Sequence, residues 1–320
     1  MRRFVHNIWL LALIMSLLAA CGKPSKNTEQ DENPVENFSG LVSINGTELY
    51  CKIIGSGEPV VILHGGPGLD HTYLLPHFLA LADKYQLIFY DQRGGGQSSI
   101  NVDTASISME NFIEDLEGIR KHFEVGKISL MAHSFGGLIA MNYAIKYPEN
   151  LNSLILIGSV APTSEMMQSA SLLDAANVSP EDSIEFNEIL TSEEMANGEA
   201  AAIEKLMRLS FKRQFFNKNF ADSLNLSITE RFITTSGLLS GLQKDLIDFD
   251  LTDELAQVTV PTLIIYGDYE TTYKVSDEIL YKTMPNGQNW VLRDCGHFPF
   301  IEKKNDFERI VNNFMAGLKE

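Results

Sequence analysis

Ile128-Ser129-Leu130-Met131-Ala132-His133-Ser134-Phe135-Gly136-Gly137 is a short apolar run that passes straight into small residues around a serine. Leu138, Ile139, Met141, Ala144 and Ile145 then recur at helical spacing and stop before Pro148. The pattern predicts a strand that turns into a helix on Ser134, with no loop between them. A small-x-Ser-x-Gly turn of this kind lifts a serine hydroxyl out of the backbone, and its small neighbours let strand and helix pack closely. Ala132 stands where glycine is usual. The backbone N–H of Phe135, at the helix start, is placed to hold an oxyanion.

Similar apolar runs lie on either side. Val60–Leu63, Leu87–Tyr90, Leu154–Ile157, Thr262–Tyr266 and Trp290–Leu292 are each short, and most are closed by glycine or turn residues. Such runs predict strands buried on both faces. Met109, Phe112, Ile113, Leu116, Ile119 and Phe123 form one helical stripe, with Ser108 as its cap. Alternating strands and helices predict a mostly parallel, doubly wound sheet of α/β class. The rhythm breaks over 162–255, which is helical in pattern and carries Phe211, Phe215, Phe216, Phe220 and Phe232. That stretch is expected to be a helical lid inserted between strands of a core made of 38–161 and 256–320.

Two further segments complete a reactive set. His64-Gly65-Gly66-Pro67-Gly68 closes the first of these strands, and a backbone N–H there, that of Gly66, would complete an oxyanion hole. Asp294-Cys295-Gly296-His297-Phe298-Pro299 follows the last strand, on a tight loop that frees the His297 ring. A serine and a histidine are the pair needed to activate a hydroxyl. A carboxylate must orient the histidine, and Gly267-Asp268-Tyr269-Glu270 offers both Asp268 and Glu270. No cysteine or histidine cluster has metal-ligand spacing, and neither metal nor cofactor is expected.

From Phe38 onward the chain resembles the α/β-hydrolase superfamily, and within it the proline iminopeptidase group of serine aminopeptidases. The resemblance rests on His64-Gly65-Gly66-Pro67-Gly68, Asp91-Gln92-Arg93-Gly94, Ser98, the turn at Ser134, and Gly296-His297-Phe298-Pro299. It implies Ser134 as nucleophile and His297 as base. The acid would be Glu270, the fourth residue of the family's Gly-x-x-Asp step. Asp91 and Arg93 would be scaffold. The implied reaction releases an N-terminal residue from short peptides. An esterase or lactonase with the same triad is the alternative, and a ligand-binding sensor with weak turnover is an alternative of another class. Family aminopeptidases use lid glutamates to hold the substrate's free amine, some in a Trp-Glu step; this lid has no tryptophan, so the implied substrate rests on analogy.

The first residues have another purpose. Arg2 and Arg3 precede an apolar run, and Leu18-Ala19-Ala20-Cys21 resembles the lipobox of bacterial lipoproteins. That resemblance implies a signal peptide over 1–21, a lipid on Cys21 and an exported, membrane-anchored enzyme. Residues 22–37 are polar and predict a flexible tether. Cys51 and Cys295 are expected to be separate buried thiols. The chain carries a net charge of −17, which argues against a nucleic-acid partner and suits solubility or cationic substrates. Small molecules or short peptides are the expected partners, with no protein partner implied.

Overall fold

The computed structural model describes residues 36–318. The signal read at 1–21, Cys21 and residues 22–35 of the tether lie outside them. The other two tether residues are strand instead: β1 (Glu36–Ile44) already includes Asn37. It pairs with β2 (Thr47–Ile54) as an antiparallel hairpin closed by Asn45-Gly46, both at positive φ. Asn-Gly is a strong hairpin signal, because both central residues of the turn need positive φ. The apolar-run reading missed this hairpin because β1 and β2 are half-exposed and alternate: Leu41 is open to solvent while Val42 and Ile44 are buried.

The remaining strands fall on the predicted apolar runs: β3 (Glu58–Leu63), β4 (Tyr85–Tyr90), β5 (Ile128–His133), β6 (Leu151–Ile157), β7 (Thr262–Gly267) and β8 (Gly287–Leu292), but β8 lies at the sheet edge and is not buried on both faces as expected, Trp290 being 43% exposed. They form one eight-stranded sheet in the order β1-β2-β4-β3-β5-β6-β7-β8. All pairings from β4 to β8 are parallel. Alternate residues of β3 and β5 enter two separate cores. Val61, Leu63, Leu130 and Ala132 face the helices Met109–His122 and Phe135–Lys146. Val60, Ile62 and Met131 face Phe78, Phe300 and Phe307. This double burial is why the central strands read as unbroken apolar runs.

The winding reverses between β3 and β5. The chain leaves β3 for β4 on one side and returns to β5 on the other, so two crossovers diverge from adjacent strand ends. Such a switch point leaves a crevice beyond the carboxyl ends of the strands. Leu63 and Ala132 are in register, so His64 and His133-Ser134 emerge side by side into it.

Between β6 and β7 the chain is helical, with only an isolated bridge, Thr163 to Asp250, among the described residues. Helices Ser164–Ala176 and Pro180–Leu190 are capped by Thr163 and Ser179, and Pro180 occupies the first turn where its missing N–H costs nothing. Ala200–Lys212 and Arg231–Leu238 follow. Among the phenylalanines of this insertion, Phe215 is fully buried and Phe216 is 46% exposed. No helix among the described residues is long and apolar enough to cross a membrane.

Candidate active site

Ser134 joins β5 to its helix at φ 55 and ψ −123, a conformation that a residue with a Cβ rarely adopts. Its N–H is held by Ile157 C=O at 3.0 Å, and its own carbonyl accepts from Gly137 N–H at 2.9 Å. Packing on both sides therefore sustains the strained turn. Phe135 is the first helical residue, and the N–H at that position has no acceptor within its own helix.

The loop after β3 lies directly against this turn. A Cβ on Gly65 would stand 2.8 Å from the Cβ of Ser134, so only glycine permits the approach. Gly66 follows at φ 124 and lines the same cavity as Ser134 and Phe135. His64 is scaffold. Its Nδ1 bonds Gly65 C=O at 2.8 Å and its Nε2 accepts from Gln92 N–H at 3.1 Å. Burial pushes its pKa down.

Of the two candidate acids, Glu270 reaches the histidine. Its Oε1 lies 2.6 Å from His297 Nδ1. Asp268 instead accepts weakly from Cys295 N–H, at 3.4 Å. A carboxylate only accepts, so His297 Nδ1 is the donor in this contact, and Nε2 is the ring nitrogen turned away from Glu270. Burial raises the Glu270 pKa, while the adjacent His297 pulls it down. Ser134, Glu270 and His297 all line one cavity of about 310 Å³.

Two residues that sequence reasoning did not single out join the halves of this site. Tyr73 O–H lies 2.7 Å from His133 Nδ1 and accepts from Gly65 N–H, also at 2.7 Å. His133 Nε2 donates to the backbone carbonyl of His297 at 2.9 Å. Because a carbonyl only accepts, His133 holds its proton on Nε2, and Tyr73 must be the donor to Nδ1. Burial, and then the neighbouring His297, hold the His133 pKa well below its usual value. His133 stood in plain view beside Ser134, but nothing local marks Tyr73.

The Asp91-Gln92-Arg93-Gly94 turn is scaffold on its own evidence. Asp91 accepts from both the backbone and ring nitrogens of His71 and from Gln97 N–H. Arg93 forks onto Asp115 in a fully buried pair.

The insertion supplies the far wall. Met167, Ala170, Ser171 and Asp174 recur at helical spacing and face the cavity with Phe211, Arg213 and Gln214. Asp174 is already paired, through Oδ2, with Arg213 Nε at 2.8 Å. Among the described residues no group of three or more His, Cys, Asp or Glu is arranged to hold a metal. Cys51 and Cys295 are separate buried thiols, and burial pushes the Cys51 pKa up to about 12.

Comparison with known proteins agrees with this architecture. A family model described as alpha/beta hydrolase fold matches residues 58–304. A proline iminopeptidase of Lactobacillus helveticus is 30% identical over 302 residues, covering 88% of this chain and 98% of that protein. One from Saccharolobus solfataricus is 27% identical, covering 88% of this chain and 93% of that one. Among solved structures, a proline iminopeptidase of Mycobacterium smegmatis superposes with a TM-score of 0.67 at 23% identity, covering 88% and 98% of the two chains. An esterase from Exiguobacterium antarcticum does so at 0.61 and 21%, covering 88% and 100%; at such identities the likeness speaks for the fold alone.

Proposed function

The chain belongs to the α/β-hydrolase family and is a hydrolase; from this we propose that it is an aminopeptidase of the proline iminopeptidase kind, releasing N-terminal residues from short peptides. The observation that carries the mechanism is the 2.6 Å contact of Glu270 with His297 in the cavity that also holds Ser134. Ser134 Oγ attacks the scissile carbonyl carbon while His297 Nε2 takes its proton. The N–H groups of Gly66 and Phe135 hold the oxyanion, and Glu270 stabilises the imidazolium. His297 then returns the proton to the leaving amine. Water, deprotonated by the same nitrogen, hydrolyses the acyl-enzyme and restores Ser134.

In this reading residues 162–255 form a lid that restricts the site to small substrates. The Leu-Ala-Ala-Cys step supports lipid attachment at Cys21 and export. Loss of membrane association in Cys21→Ser would be its mark, and a soluble wild-type chain would end it.

An esterase or lactonase is the second reading, and one observation favours it. The cavity is lined by only two acids among the described residues, Glu270 and Asp174, and each already has a cationic or imidazole partner. A substrate ammonium would have to draw Asp174 away from Arg213. Prolyl and other aminoacyl arylamides offered beside short acyl esters decide between the two. Cleavage of esters alone removes the peptidase reading, and failure of a fluorophosphonate to label Ser134 removes the mechanism.

A further inference from the structure

The loop that carries His297 is bound to the insertion as well as to the sheet. Gly296 N–H donates to Glu302 Oε2 at 2.6 Å. The same carboxylate accepts from Asn217 N–H at 2.8 Å, on Oε1, and from Phe216 N–H at 3.3 Å. One side chain thus collects backbone donors from both sides of a seam. His297 N–H crosses that seam too, donating to Gln214 C=O at 2.9 Å. A Cβ on Gly296 would stand 2.0 Å from that carbonyl, so the two backbones touch. Phe215 and Phe298 stack across it with ring centres 4.5 Å apart.

Both partners of the clasp are stiff. Glu302 ends the single helical turn Pro299–Glu302, which begins two residues after His297, and its N–H bonds Phe298 C=O at 3.0 Å. On the other side, Lys218 Nζ ties the turn together by donating to Arg213 C=O and Phe215 C=O, at 2.8 and 2.7 Å. Arg213 and Gln214 of this turn line the catalytic cavity. Hydrogen bonds from backbone N–H to an ionised carboxylate are among the stronger ones, and losing the acceptor strands the donors.

We infer that Glu302 is a positioning residue: it fixes the reach of His297 by locking the base loop to the 214–217 turn, so that the base is in register only when the insertion is seated. A displacement of about 1 Å at a reacting group can cost about a hundredfold in rate. The inference rests on Ser134 and His297 being the reactive pair, but not on the identity of the substrate.

The test is a double-mutant cycle on the full chain, with Glu302→Gln and Asn217→Pro. Glutamine keeps the shape but turns an amino group toward donors. Proline at 217 deletes that N–H on the insertion side, together with the Asn217 Oδ1 bond to Asn219 N–H, and leaves the histidine loop's own bonds intact. The readouts are the rate of Ser134 labelling by an alkyl fluorophosphonate and kcat and KM on a short acyl ester, normalised to folded protein. Each single variant is expected to slow labelling and kcat about ten- to a hundredfold with KM nearly unchanged. The double variant is expected to be no slower than the worse single, because both cut one linkage. Losses that multiply, or a single variant within about twofold of wild type, overturn the clasp. If Glu302→Gln does not fold, Asn217→Pro decides alone on the same rates. A wild-type chain that does not label at all refutes the catalytic reading instead.

Discussion

The Tyr73 hydroxyl and His133 Nδ1 lie 2.7 Å apart, and through this contact the loop after β3 is joined to the loop that carries His297. Tyr73 accepts from Gly65 on one side, and His133 donates to the His297 carbonyl on the other. Both side chains are fully buried, so neither can substitute water for a lost partner. Tyr73→Phe strands Gly65 N–H and His133 Nδ1 together. The expected result is a fall in kcat of about tenfold or more, with KM little changed, because a loop that holds the proposed oxyanion acts only in the transition state. Steady-state kinetics on a short acyl ester check this. An unchanged kcat would show the oxyanion loop to be held by other means.

Glu270 and Asp268 separate cleanly. Glu270→Gln removes the charge facing His297 Nδ1 and should lower kcat by about 10⁴-fold. Asp268→Asn should stay within about threefold of wild type, since among the described residues its carboxylate bonds only Cys295 N–H, at 3.4 Å. Because burial raises the Glu270 pKa, its ionised form is a burden on the fold at neutral pH. Glu270→Gln is therefore expected to match or exceed wild type in urea midpoint at pH 7. A large fall in both activity and stability would point to a structural role.

Stability should fall in mild acid. His133 faces Tyr73, His297 and, more distantly, His64, and burial keeps it neutral in the folded chain. Unfolded, its pKa returns to about 6.5, so below that pH the unfolded chain binds a proton that the fold refuses. The contribution is complete above about pH 6.5 and is lost as pH falls toward the folded value. His64 adds to it in the same direction. Urea unfolding at pH 7 and pH 5.5 should show a smaller difference for His133→Gln than for wild type. Equal differences would mean that His133 does not titrate in the transition.

Arg93 and Asp115 are both buried, and burial raises the Asp115 pKa even against the pull of Arg93. Arg93→Met leaves the carboxylate without its cationic partner, with only the Asn45 Nδ2 donor at 3.0 Å, and should cost about 3–5 kcal/mol of stability. Adding Asp115→Leu removes the stranded charge and should recover much of that loss. If the double variant is no more stable than the single, the pair owes its value to the Arg93 bond with Asn45 C=O instead.

The parallel core was legible because strands buried on both faces leave runs that need no context: β3 through β7 each show one, whereas β8 is a half-exposed edge strand whose run is only Trp290-Val291-Leu292. The hairpin β1–β2 was not read, although Asn45-Gly46 signals it, since half-exposed strands alternate and one of them adjoins a polar segment. Ser134, Gly66 and His297 could be named because each follows an apolar run and sits among small residues, where a chain turns sharply.

The sequence by itself therefore determined which loops present the candidate residues, since a strand end and its turn are local events written in consecutive residues. Its spacing alone left Asp268 and Glu270 as rivals, with Glu270 implied only by the family resemblance, and it was silent on Tyr73 and Glu302. Those matters were decided only by tertiary structure. Which carboxylate reaches His297 depends on how β7 and β8 lie side by side, and which donors Glu302 collects depends on where the insertion, with Asn217 85 residues earlier, comes to rest. Hydrogen bonds of about 3 Å between distant residues leave no trace in spacing or composition, because their geometry does not exist until the chain has folded.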